Sequence, residues 1–261
     1  MANYRSYRQI RSDQIASGSI GISKLVSGVT PNYCVKMFYG HQCYCTPGCC
    51  CNWQVPSGVG KLTLEVWGAG GNGHGACTCN RCQHYQAAAG GAYNTKTIST
   101  AAGCSYSVCA GGVYRCCSRE CNGCEGCSSY VNGYNLSNFC AIGGARGCAN
   151  PDWSIRCTSR HWCCASPGTW GGDFAMAPHQ KGWSGHWNCH CTGAVANEES
   201  SGAPFLSSGA VEQQMEQCWM RCGCWTAPYA TGGQGAVTTY CGRCCGQGGQ
   251  GGSGVVRITY V

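Results

Sequence analysis

The sequence predicts an all-β fold, a β-sandwich or barrel, and three observations lead to that prediction. Short runs of alternating apolar and polar residues are separated by glycine-rich turns. Leu, Ile, Val and Phe make up only about 12% of the 261 residues, below the level of an ordinary aliphatic core. Cysteine and glycine, at 29 and 42 residues, exceed a quarter of the chain, and charged residues are only 10%. We therefore expect an ordered chain in which aromatic residues, disulfide or metal cross-links and close backbone packing supplement a small apolar core.

Alternating residues predict the strands in chain order. An entry strand begins at Trp53, and a turn at residues 56–58 leads into a strand over Lys61–Trp67. Leu62, Leu64 and Val66 share one face of that strand, and Thr63, Glu65 and Trp67 share the other. Further strands are predicted over residues 94–99, 105–110 and 255–260, each next to glycine-rich sequence.

Two other regions do not follow this pattern. Residues 1–30 contain no cysteine and have sparse isoleucines, so we expect a segment that attaches to a partner or a neighbouring copy; a disordered arm is the alternative. Within the remaining domain, residues 31–261, the alternation fades between about residues 113 and 231, where cysteine is most frequent. One short helix is predicted there over residues 210–222, with Gly223 as its C-terminal cap.

Charge and hydropathy exclude several classes of protein. The net charge is +7, but basic residues are scattered, so no nucleic-acid partner is expected. No apolar run approaches the roughly 20 residues that span a bilayer, so we expect no membrane insertion. The first residues lack the apolar stretch of a secretory signal, which predicts synthesis in the cytoplasm without general secretion.

The cysteines allow three interpretations: disulfides, structural metal or free thiols. Vicinal pairs such as Cys116–Cys117 favour disulfides, although an odd total leaves at least one thiol without an intrachain partner. Three clusters have metal-ligand residue types: Cys77, Cys79, Cys82 and His84; Cys121, Cys124 and Cys127; and His186, Cys189, His190 and Cys191. None has a second C-x-x-C at a zinc-ribbon separation, so we favour disulfides and predict no metal site or cofactor.

Enzyme motifs are absent, since the chain contains no H-E-x-x-H, G-x-S-x-G or phosphate-binding-loop sequence. Asp152 and Asp173 could form a carboxylate pair, but loop acids are usually only solvated, and we expect no enzymatic activity. The long cysteine-rich region instead concentrates tryptophan, at Trp153, Trp162, Trp170, Trp183 and Trp187. These residues are candidates for receptor contact with a glycan or protein; the alternative is that they fill the core.

Three glycine-rich stretches carry a family resemblance: VPSGVGKLTLEVWGAGGNG, GGAYNTKTISTAAGCSYSVCAGG and GGQGGSGVVRITYV. Their order resembles the glycine-rich domain of bacteriophage tail fibres and related virion appendages, and also that of some receptor kinases. The stretch IRSDQIASGSIGISKL near the N-terminus resembles the capsid- or tail-proximal segment of phage fibre proteins.

The resemblance implies a jelly-roll-like β-sandwich with glycine-rich loops of the polyglycine-II type, plus the long cysteine-rich insertion with its short helix. It also implies a homotrimeric phage appendage, localised to the virion, that contacts other virion proteins through residues 1–30 and a host surface glycan or protein. Polyproline-II-type segments lack internal hydrogen bonds, so they pack side by side only where glycine allows close approach. The alternative function is that of a structural metal-binding protein, with zinc or an iron–sulfur cluster held by cysteines.

Overall fold

Sixteen β-strands, and no helix, form the regular secondary structure of the residues that the computed structural model describes. These residues are 34–43, 48–73, 76–78, 83–84, 88–114, 124–147, 169–176, 229–230, 237–238, 244–246 and 249–260. The strands are β1 (Cys34–Tyr39), β2 (Gln42–Cys43), β3 (Gly48–Gln54), β4 (Lys61–Trp67), β5 (Ala76–Thr78), β6 (Gln83–His84), β7 (Tyr93–Ser99), β8 (Ser105–Gly111), β9 (Val113–Tyr114), β10 (Ser129–Gly133), β11 (Leu136–Ala141), β12 (Thr169–Trp170), β13 (Phe174–Met176), β14 (Val237–Thr238), β15 (Cys244–Gly246) and β16 (Val255–Tyr260).

Two five-stranded antiparallel sheets contain most of the strand residues. The first sheet has the order β1-β16-β4-β7-β13, and the second has the order β12-β11-β10-β8-β3. The remaining strands form three two-stranded ladders, β14–β6, β15–β5 and the parallel pair β2–β9. The all-β prediction is therefore confirmed for the described residues, whereas the jelly-roll connectivity stays a prediction.

The inner faces of the two sheets pack around one hydrophobic core. From the first sheet, Leu62, Leu64 and Val66 are fully buried, as the alternation predicts. Tyr106 and Phe139 are the largest fully buried side chains of the second sheet. Trp53 lies beside this core, with its ring 6.3 Å from Tyr106 and 5.6 Å from Tyr260. Aromatic residues thus supply volume that a chain with few leucines lacks.

The predicted strands are confirmed at β4, β7, β8 and β16, whereas β3 begins at Gly48, before the entry strand that was predicted to begin at Trp53. Sequence analysis did not predict β10 and β11, which lie where the alternation fades. The helix expected over residues 210–222 lies outside the described residues. In the part of the chain that is described, no helix is long and apolar enough to cross a membrane.

Six strands continue, at one end of the sandwich, into glycine-rich segments that we call the glycine lattice. The lattice comprises residues 68–73, 88–92, 112, 124–127, 142–147 and 249–254. Successive backbone N–H groups of its central segment, 68–73, donate hydrogen bonds of 2.8–3.0 Å to three neighbouring segments in turn. These segments are 88–92, 124–127 and 249–254. The six donor–acceptor pairs are Gly68–Ala92, Ala69–Cys127, Gly70–Gly252, Gly71–Ala89, Asn72–Cys124 and Gly73–Gly249.

Each of the three neighbours therefore receives every third N–H of the central segment. Three residues per turn is the repeat of a polyproline-II-type helix, which makes no hydrogen bonds within itself. Carbonyl groups follow the same spacing, because Ala69 and Asn72 accept bonds from Gly144 and Gly147 at 2.7 and 2.8 Å. This pattern has the threefold repeat that polyglycine-II loops would show, and their presence in this domain stays a prediction.

Candidate functional site

The outward face of the second sheet carries Trp170, one of the five tryptophans predicted to contact a receptor. Its side chain lies in β12 and is 53% exposed. That exposure fits a contact residue, and the core-filling alternative is wrong for Trp170. The other four predicted contact residues, Trp153, Trp162, Trp183 and Trp187, lie outside the described residues.

A continuous row of paired residues crosses the second sheet and ends at Trp170. Its members, in order of the strands from β3 to β12, are Cys50, Cys109, Tyr130, Cys140 and Trp170. Directly paired residues project to the same side of a sheet, and their neighbours Val108, Val131 and Phe139 point into the core. The row therefore lies on the outward side.

A disulfide holds the end of this row that lies opposite Trp170. Cys50 and Cys109 form a disulfide between the paired strands β3 and β8. The sulfur of Cys50 lies 3.9 Å from the hydroxyl of Tyr130, the next member of the row. Tyr130 thus has a defined place between the disulfide and the thiol of Cys140.

Neutral polar side chains form a second row beside the first. Asn52, Ser107 and Asn132 are paired across β3, β8 and β10. The Asn132 side-chain oxygen accepts a 3.0 Å hydrogen bond from the backbone N–H of Asn138. Asn138 and the nearby Asn135 both have positive φ, at 55° and 53°. The two rows, together with Gln54 and Ser105 at their end, are called the Trp170 face. None of these described residues is charged.

The segment that carries Trp170 is anchored to the first sheet. The Asn94 side-chain amide donates to the carbonyl oxygens of Cys140 and Trp170, at 3.0 and 2.9 Å. Lys96 donates to the Gly171 carbonyl at 2.7 Å and forms a 3.7 Å ion pair with Asp173. Three residues beyond Trp170, Asp173 also accepts a 2.9 Å bond from the Thr97 backbone N–H. Asp173 therefore has structural partners, and Asp152, its hypothetical catalytic partner, lies outside the described residues.

The outward face of the first sheet has a different chemistry. Exposed apolar side chains lie on it or at its rim, namely Val35, Met37, Tyr39, Phe174 and Tyr229. At its centre the buried Glu65 carboxylate accepts hydrogen bonds from Arg257 Nε and, at 3.0 Å, from the Tyr93 hydroxyl. Burial, followed by the hydrogen bond and the negative charge of Glu65, raises the pKa of Tyr93 to about 12. We call this surface the apolar face.

Disulfide formation is confirmed for one pair of cysteines, Cys50 and Cys109. Free thiols are carried by Cys34, Cys49, Cys51, Cys104, Cys127 and Cys140. Burial raises the pKa of the Cys51, Cys127 and Cys140 thiols, and Cys49 and Lys36 modify the pKa of Cys51 further. These thiols are therefore mostly protonated at neutral pH, which lowers their nucleophilicity and their affinity for metal.

The structure brings together few of the candidate metal ligands. Cys124 and Cys127 lie in the glycine lattice, where their carbonyl oxygens accept bonds from the central segment. Cys77 lies in β5 and His84 in β6, whereas Cys79, Cys82, Cys121 and the cluster from His186 to Cys191 lie outside the described residues. Within the described ranges, no three His, Cys, Asp or Glu residues are grouped so as to hold a metal ion.

Sequence reasoning missed the polar rows of the Trp170 face. Each row depends on register between strands that are distant in the chain, and asparagine or serine on an outer face is common. The sequence did contain one signal. In a strand over residues 49–54, residues 50, 52 and 54 share one face, and Asn52 and Gln54 on that face are neutral and polar.

Comparison with known families gives one finding that covers most of the chain. A family model described as a glycine-rich domain matches residues 46–261. The match includes both five-stranded sheets except β1, and it includes the whole glycine lattice. Comparison with curated proteins gives no match.

Proposed function

Because the chain belongs to the glycine-rich domain family, we propose that it is a structural protein of a bacteriophage particle, a fibre or fibre-like appendage. In this proposal residues 1–30 attach the protein to other virion proteins, the assembly is a homotrimer, and the glycine-rich domain contacts the host surface. The role requires no catalytic step and no cofactor.

The glycine lattice is the observation that carries this proposal. Its segments are held by backbone hydrogen bonds between chain regions up to about 180 residues apart, such as Gly70 to Gly252. Such an arrangement leaves little backbone free for a protease and needs no large apolar core. An appendage that works outside a cell needs both properties, and the Cys50–Cys109 disulfide suits the same oxidising environment.

Mass spectrometry of gradient-purified particles tests the location. We expect the full chain at a constant ratio to the other virion proteins, with native mass spectrometry of the released protein giving a trimer. A variant that lacks residues 1–30 should fold, by circular dichroism, but should be missing from particles. Absence of the full chain from purified particles would contradict the proposal, as would normal incorporation of the truncated variant.

A further inference from the structure

We propose that the Trp170 face binds a neutral polysaccharide of the host cell surface. This inference rests on the proposed function, since it names the component of the host that the appendage contacts. The occupant follows from the shape, the charge and the hydrogen-bonding groups of the face.

The first argument is the exposed aromatic ring at one end of the face. Trp170 presents about half of its large side chain to solvent, and Tyr130 lies two strands away in the same row. An indole ring is apolar on its faces and carries a polar N–H, so it can stack on the C–H groups of a sugar ring while donating at its edge. Two aromatic residues in one row provide a platform longer than a single sugar ring, because neighbouring strands lie about 4.8 Å apart.

The second argument is the chemistry of the adjacent row. Asn52, Ser107 and Asn132 present amide and hydroxyl groups, which both donate and accept hydrogen bonds. Sugar hydroxyl groups also do both, so amides and hydroxyls suit them. No residue of the Trp170 face is charged, although the chain has a net charge of +7. An acidic glycan would find no counter-charge among the described residues that define this face, which favours a neutral one.

The third argument is the rigidity of the face. The disulfide between Cys50 and Cys109 joins two strands within the first row, and Asn94 anchors the Trp170 backbone from the opposite sheet. Side chains on strands that are fixed in this way lose little freedom when a ligand binds, which lowers the entropic cost of binding.

The chain offers a matched control for the decisive substitution. Phe174 lies four residues from Trp170 and is similarly exposed, at 49%, but it belongs to β13 on the apolar face. The two aromatic residues therefore share a segment and an exposure while they lie on opposite sides of the sandwich.

The test begins by applying the full chain to an array of purified neutral and acidic bacterial surface polysaccharides. Affinities of the Trp170→Ala and Phe174→Ala variants are then measured for the neutral polysaccharide that gives the strongest signal. We expect Trp170→Ala to bind at least about 10-fold more weakly, as for an aromatic anchor, and Phe174→Ala to bind like the wild type. Asn52→Ala should weaken binding by about 2- to 10-fold, the contribution of one hydrogen bond. This second variant tests the same face even if Trp170→Ala does not fold normally.

Three results would overturn the inference: binding to acidic polysaccharides alone, no binding to any neutral polysaccharide, or equal losses in Trp170→Ala and Phe174→Ala. The outcome is separable from that of the proposed function. A protein that is incorporated into particles but binds no neutral polysaccharide contradicts only this inference. A protein that binds through Trp170 but is absent from particles contradicts only the virion role.

Discussion

The sandwich and the glycine lattice hold the same six stretches of chain by opposite means. In the sandwich, side chains such as Leu64 and Phe139 fill the space between two sheets. In the lattice, the absence of side chains lets backbones approach closely enough to form hydrogen bonds in three directions. A Cβ atom on Gly143, for example, would overlap the carbonyl oxygen of Gly126.

The difference explains how so few aliphatic residues suffice for an ordered domain. A residue in the lattice contributes through its peptide groups, which pair with neighbouring segments whatever the hydropathy of the sequence. Only the half of the structure that forms a sandwich needs apolar side chains. A domain rich in cysteine and glycine can therefore remain folded with few leucine and isoleucine residues.

Ser129 lies where the two regions meet. Its buried hydroxyl donates to the Trp67 carbonyl at 2.6 Å and accepts from the Gly111 N–H at 2.8 Å. Trp67 ends β4 and Gly111 ends β8, so one hydroxyl links the two sheets at their junction with the lattice. The regions are thus joined by hydrogen bonds as well as by chain continuity, and we expect them to unfold together.

The largest effect is expected from a cavity in the sandwich. Phe139→Ala removes a fully buried ring and should lower the free energy of unfolding by about 3–5 kcal/mol. Chemical denaturation followed by tryptophan fluorescence measures the loss, and hydrogen exchange shows where it is felt. Faster exchange confined to sandwich amides, with lattice amides unchanged, would contradict the expectation that both regions unfold together.

A methyl group in the lattice should have the next largest effect. Gly143→Ala places its Cβ against the Gly126 backbone, which cannot rotate away as a side chain could. We expect a loss of about 3 kcal/mol, at the upper end of the usual range for overpacking. Thermal denaturation of the variant and the wild type measures it.

Gly60→Ala is the control for that substitution, because its Cβ would meet no atom within 4 Å. The control should change stability by no more than about 1 kcal/mol, and in the stabilising direction, since alanine restricts the unfolded chain. Equal losses at both positions would mean that the lattice does not depend on close backbone approach.

The strands that the sequence predicted are those whose alternation is undisturbed. In β4, apolar residues at 62, 64 and 66 alternate regularly, and the structure buries all three. In β11 the buried residues are Leu136, Phe139 and Ala141, so the period of two is broken. The cause is a register shift opposite Val131 and Gly133, where Asn138 has positive φ and adds a residue to one strand.

The site and the lattice were predictable only in part, since both depend on contacts between distant residues. Trp170 could be identified because tryptophan is concentrated in the cysteine-rich region. Its row, however, required the register of five strands. Glycine content likewise predicted close packing but not which segments meet. The partners of segment 68–73 include residues 249–252, and no local pattern encodes that pairing.

The smallest effect is expected at Tyr93, the first residue after lattice segment 88–92, where its ring packs 4.8 Å from Trp67. Tyr93→Phe keeps the ring but removes the hydrogen bond to Glu65, which should cost about 1 kcal/mol at pH 7. The pKa of Tyr93 is raised to about 12, above the roughly 10 of an unfolded chain, so folding favours the protonated hydroxyl. Its contribution is therefore complete below pH 10 and is lost as the pH rises towards 12.

The stability difference between wild type and Tyr93→Phe, measured by urea denaturation at a series of pH values, should thus be constant up to about pH 10 and then shrink. Cysteine ionisation affects both proteins alike and cancels in that difference. A difference that stays constant to pH 12 would mean that the Tyr93–Glu65 hydrogen bond does not stabilise the junction. The junction between the sandwich and the glycine lattice would then depend on the packing of the Tyr93 ring against Trp67 and on the hydrogen bonds of Ser129.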